Sequence, residues 1–251
     1  GVPVGELVSN LAMSLTIAAL IFAAGVLPPH AAGTERWHRS ARQRREDADA
    51  APLPEHPAFT RVMRIAALSA GVWTVAALAV GVLSYSDLAG IPVTAGQGFT
   101  DGLAAYVVGI SVGQAWFWVT VIAAVVTTLA IAVRSHNGLF WTGILAMLAL
   151  VPLALIGHAA GGDDHNGAVN SIGLHLLGVV VWVGGLLVLV AISDTLVGPN
   201  GAQGRGRSLR RQGPAPLLHT VLTRYSVLAG LGLVAVLGAA GIAVARRRSI
   251  D

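Results

Sequence analysis

The stretch GHAAGGDDHNGAVNSIGLHLLGVVVWVGGL, residues 157–186, joins two long apolar runs through a short polar loop. His158 closes the first run, Asp163, Asp164 and His165 fill the loop, and His175 sits inside the second run. Trp182 follows His175 by two helical turns, so the two project from one face of a helix. Ser171, Gly178 and Gly185 lie near that face, and small residues let a neighbouring backbone approach closely in membrane helix pairs. An imidazole so far inside an apolar run turns away from lipid and needs a partner, which makes it a candidate functional group.

The rest of the chain agrees with that reading. Of its 251 residues 55% are hydrophobic and 11% charged, and the mean hydropathy is +0.72. These values lie outside the habit of soluble domains and within that of polytopic membrane proteins. At about 20 residues per span, the expected fold is all-α: a membrane helical bundle of about six transmembrane helices, forming a single domain over residues 1–251. All basic side chains other than histidine are arginine, and cysteine is absent. Disulfides, thiolate metal sites and cysteine nucleophiles are thereby excluded. A soft metal would have to be held by histidine or methionine with carboxylates helping. There is no glycine-rich phosphate loop, HExxH motif or nucleophile elbow, so no enzyme is expected. The Gly184-Gly185 pair reads as a packing device.

Six spans are expected, over residues 4–27, 62–85, 113–133, 139–157, 168–192 and 222–245. The first is stopped by Pro28-Pro29 and reads as a span rather than a signal peptide, since no basic segment precedes it. Glu6 and Asn10, near its start, read as wet interfacial residues. Residues 28–60 form a polar connection rich in arginine, and residues 193–219 a second, glycine-rich one with Arg205, Arg207, Arg210 and Arg211. Residues 86–112 carry no basic side chain. Within them a short interfacial helix is expected over 100–112, capped by Thr100 or Asp101. Trp116, Phe117 and Trp118 open the third span as an aromatic set at the membrane interface.

Every arginine before the last span falls in the connections 28–60 and 193–219, in the turn 134–138, or at the adjoining span ends. By the positive-inside rule that side is cytoplasmic. The opposite side carries Asp87, Asp101, Asp163, Asp164 and Glu6, an anionic surface that attracts cations within roughly 10 Å. The basic pI of 10.6 therefore implies no nucleic-acid partner. The last span breaks the pattern, entered at Arg224 and closed by Arg246, Arg247 and Arg248. Either these three arginines are external, or the two ends belong to different helices with residues missing between about 230 and 246, which is the reading the pattern favours.

The candidate metal ligands are His158, His175, His165, Asp163, Asp164 and Met147. Histidine is the commonest protein ligand for late transition metals. The histidines are separated by seven and then ten residues, which matches no fixed ligand template, so solvated loop side chains remain the alternative for His165 and its neighbours. Met147 precedes His158 by eleven residues. In a continuous helix the two share a face about 16 Å apart, too far for one ion but suited to successive stations, with core filling as the alternative. His175 is expected about 10 Å below the outer end of its helix.

GHA at 157–159, LHLLGVVVWVGGL at 174–186 and RYSVLA at 224–229 resemble the signature segments of the copper resistance protein D (CopD) family of membrane proteins. Relatives in actinobacteria often carry a cytochrome oxidase assembly (CtaG-type) domain behind this one. The resemblance implies copper handling at the plasma membrane, usually uptake into the cytoplasm, with His158 and His175 as carried-over positions and Trp182, Gly184 and Gly185 as framework. It also implies further helices after the RYS helix, which makes an incomplete eight-helix domain the alternative to a six-helix one. Three functions compete: a copper permease with an outer histidine site, a b-type haem-binding bundle, and an accessory or assembly subunit docked on a larger complex such as cytochrome oxidase. The expected partners are the lipid bilayer, the copper ion and that complex.

Overall fold

The structure, a computed structural model, describes residues 1–27, 56–94, 96–156, 178, 180–197 and 216–247. They form helices α1 (Val2–Gly25), α2 (Pro57–Ala89), α3 (Gln97–Gly109), α4 (Ser111–Ala132), α5 (His136–Leu148) and α6 (Leu150–Ile156), a π-helical turn at Val180–Gly184, α7 (Gly185–Val197) and α8 (Pro216–Arg247). The protein is an all-α membrane bundle. Among the described residues four helical stretches are long and apolar enough to cross a bilayer: Val2–Gly25, Pro57–Ala89, Ser111–Ala132 and His136–Ile156. Two shorter apolar helices, Val180–Leu196 and Leu218–Val234, overlap the fifth and sixth expected spans.

Lipid and core are equally apolar, so size rather than polarity sorts the faces. On α2 the inward stripe holds Ala58, Val62, Ala66, Ala70, Trp73, Ala77 and Val80, while Leu68, Val72, Val75 and Leu78 face outward. On α4 Ala115, Val119, Ala123, Val126 and Ala130 are buried at three- and four-residue spacing. Small inward residues let helix axes come close, which is how membrane helices gain packing contact without a hydrophobic drive. α1 lies at the centre, packed on α2, α5, the π-turn and α7, and α4 packs on the far side of α2.

Two hydroxyl pairs tie α2 to its neighbours. Thr16 of α1 lies 2.8 Å from Ser69, and Thr74 lies 3.0 Å from Thr127 of α4. Each hydroxyl also lies within hydrogen-bond reach of a carbonyl in its own helix. α2 starts with Pro57 behind His56, whose Nδ1 accepts from the Ala58 amide at 3.1 Å, and it ends at Gly90 in the left-handed conformation.

Several expectations need correction. The interfacial helix α3 starts at Gln97 with Gly96 as its cap rather than at Thr100 or Asp101. It stops at Ile110, whose extended backbone lets Gly113 pack on the Tyr106 carbonyl. Trp116 is 4% exposed and belongs to the core, while Phe117 and Trp118 are exposed. The fourth span is broken at Ala149, between α5 and α6. Pro152 accounts for the break, because its ring lacks an amide hydrogen and collides with the carbonyl four residues earlier. With no proline after Pro216, the residues from Pro216 to Arg247 form one helix, α8.

Candidate metal centre

The described part of the opening stretch is a crossing point of three helices. A side chain at Gly184 would place its Cβ 2.5 Å from Ala18 Cβ of α1, and one at Gly185 would meet the Tyr225 ring of α8 at 2.6 Å. The glycine pair is therefore the packing device that its sequence suggested. Tyr225 donates its hydroxyl to the Trp182 carbonyl at 2.6 Å, satisfying an acceptor inside the π-turn, where the helical ladder is irregular. The Trp182 ring is 47% exposed. It faces the outside of the described bundle; His175, with which the seven-residue spacing pairs it, lies outside the described residues.

Five of the six candidate ligands, His158, Asp163, Asp164, His165 and His175, lie outside the described residues. Met147 is described. It is half-buried near the end of α5 and lines a cavity of about 340 Å³ between α1, α5, α8 and the approach to the π-turn. Among the described residues it is the sole lining side chain with a heteroatom, since the remainder are Ile21, Ala24, Gly25, Phe140, Ile144, Gly178, Val181, Leu228, Leu231 and Gly232. The helix that carries Met147 is interrupted at Ala149, and residue 158 lies outside the described residues. Among the described residues no group of three or more histidine, aspartate or glutamate side chains is arranged to hold a metal. Glu6 and Asn10 are exposed, in keeping with interfacial residues.

The arginine-bearing end of the bundle holds polar contacts that the sequence did not announce. Arg61 of α2 grips both carboxylate oxygens of Asp194 at the end of α7, at 2.8 and 2.6 Å. Arg134 folds back on the Ala130 and Val133 carbonyls, closing α4. His136 reaches the Leu27 carbonyl with Nε2 at 3.0 Å and stacks on Phe59. A carbonyl only accepts, so this nitrogen carries the proton. Arg224 of α8 donates to the Val26 carbonyl at 3.5 Å. Cationic and donor groups thus gather on the free carbonyls at the carboxyl end of α1, where the helix dipole favours them. One signal in the sequence pointed here: Asp194 is an acid directly after an apolar run, on the side otherwise given to arginine.

The family model described as "Copper resistance protein D-like, N-terminal domain" matches residues 8–168, well over half of the chain. The chain belongs to the copper resistance protein D-like family. The matched stretch of this copper resistance protein D-like chain runs from α1 through α6 and includes positions 157–159, His165 and both loop aspartates. It ends before His175, the Gly184-Gly185 pair and the RYSVLA segment. No curated protein and no solved structure matches the chain. Membership makes it a membrane protein related to copper resistance. The described donors of the family member, one thioether in an apolar cavity, do not make a metal site by themselves. A soft cation would take further ligands from histidine or carboxylate.

Proposed function

We propose that this protein imports copper across the plasma membrane, with copper as cargo and His158 and His175 as its entry ligands. The observation that carries the reading is the family match, which extends through His158, Asp163, Asp164 and His165. In this scheme the arginine-rich end faces the cytoplasm, and residues 86–112 and 159–167 face outward. The loop carboxylates and His165 raise the local cation concentration, and His158 and His175 take the ion over. With no cysteine in the chain, imidazole and thioether are the soft donors left, and Met147 in its apolar cavity is the next station inward. A thioether prefers Cu(I) and binds it weakly enough to let it go.

Whole-cell copper accumulation tests this, comparing wild type with Asp163→Asn/Asp164→Asn and with Met147→Leu. The double asparagine variant should lose uptake mainly at low ionic strength, because exposed charges are screened by salt. An equally severe loss at high salt would make the carboxylates direct ligands. Met147→Leu keeps the packing volume and should slow uptake; unchanged uptake would make Met147 filler. Purified protein with a Soret absorption band and no copper would favour a haem b bundle. Protein with neither would favour a docking or assembly subunit.

A further inference from the structure

The cavity beside Met147 has a polar lip at its end towards the arginine side. Its walls are hydrocarbon: Ile21 and Gly25 of α1, Phe140 and Ile144 of α5, Leu228 and Leu231 of α8. Phe140 is 52% and Leu231 64% exposed, so the cavity opens sideways between α5 and α8 onto the lipid-facing surface. A ligand arriving from the bilayer and seated against such walls must itself be hydrocarbon there, since nothing in them pairs with a polar atom.

The end of the cavity towards the arginine side is different. Arg224 stands one helical turn before Leu228, so it shares a face with the wall residue beside it. Arg224 is exposed, and its Nη1 leans on the Val26 carbonyl, next to Gly25 of the cavity wall. That contact uses one of the five guanidinium donors. Among the described residues the other donors meet no acceptor, and a guanidinium matches a phosphate in geometry as well as charge. His136 is turned away from the lip, with its ring on Phe59 and Nε2 on the Leu27 carbonyl, so Arg224 is the charged group at this end.

We propose that the groove between α5 and α8 is a binding site for an anionic phospholipid. One acyl chain lies along Ile144, Phe140 and Leu228, and the phosphate sits on Arg224. The groove, of about 340 Å³, opens sideways onto the lipid-facing surface beside Phe140 and Leu231, so an acyl chain can enter it directly from the bilayer. Charge favours an anionic headgroup over a zwitterionic one, because Arg224 would otherwise face a choline or amine of its own sign.

The test is native mass spectrometry of the delipidated full chain titrated with phosphatidylglycerol and, separately, with phosphatidylcholine of the same acyl composition. Wild type should prefer phosphatidylglycerol by about tenfold, the worth of one charge-assisted hydrogen bond. Arg224→Gln should erase that preference and Arg224→Lys should keep part of it. Ile144→Trp, which fills the groove, should weaken both lipids about tenfold; Ile144→Val should leave both bound, as a check that the site tolerates substitution. Equal affinity for the two lipids in wild type, a preference that survives Arg224→Gln, or full binding by a folded Ile144→Trp protein would each overturn the proposal.

Discussion

At Gly185 any side chain would collide with the Tyr225 ring, and at Gly184 with Ala18. Overpacking a close crossing typically costs about 1–3 kcal/mol. Gly185→Val should therefore destabilise the protein by that amount in thermal unfolding in detergent. Gly71, in the middle of α2, has nothing within 4 Å of a built Cβ. Gly71→Ala should be neutral or stabilise by up to about 1 kcal/mol, because alanine has less backbone entropy to lose in a helix. Equal effects at the two glycines would mean that the α8 crossing is not tight. The glycine pair was legible in the sequence as a packing device; the face that the spacing gives Trp182 in common with His175 involves a residue outside the described ones.

Helix α2 is held by means that can be separated. Burial holds the His56 imidazole below its ordinary value of 6.5, and its Nδ1 must stay unprotonated to accept from Ala58. As pH falls below about 6.5 the unfolded chain takes up the proton first, so the unfolded state binds more protons and stability declines. The contribution is complete above 6.5 and is lost as pH drops towards the folded value. Melting temperature should therefore fall from pH 7.5 to 5.5 by more in wild type than in His56→Asn, which caps without titrating. Identical pH profiles would remove His56 from the account. For Thr16 and Ser69, a double-mutant cycle of Thr16→Val and Ser69→Ala should give a coupling of about 0.6 kcal/mol. Zero coupling would mean that each hydroxyl is content with its own helix carbonyl. Element existence was readable because spans are long and apolar: α1 and α4 begin and end within two residues of expectation. The break at Ala149 could have been read from Pro152, since a proline inside a span removes an amide donor. The early start of α3 could not, because Gly96 caps by its backbone conformation and not by a side chain.

At the scale of the molecule, arginine placement organises the reading. Arg61, Arg134 and Arg224 are engaged with helix carbonyls or with Asp194 at one end of the bundle. If that end is cytoplasmic, a cysteine replacing exposed Asp101 on α3 should react with an impermeant maleimide in whole cells. One replacing exposed Asn137 should react only after permeabilisation. The chain has no cysteine of its own, so each label is unambiguous, and the reverse pattern would invert the topology. The family was legible from short segments, two of which lie beyond the residues that the family model matches. The candidate ligands were legible only as residue types: five of them lie outside the described residues, and spacings of seven and ten fit no template that geometry could have checked.

The central claim is that copper is held by His158 and His175, and bound copper measures it most directly. Copper per chain should be determined by elemental analysis after copper loading and desalting, for wild type, His158→Ala, His175→Ala and the double variant, each confirmed as folded by its helical circular dichroism. The account predicts that wild type retains copper, that either single substitution removes most of it, and that the double variant loses little more than the singles. Wild-type copper content in both folded single variants would contradict it.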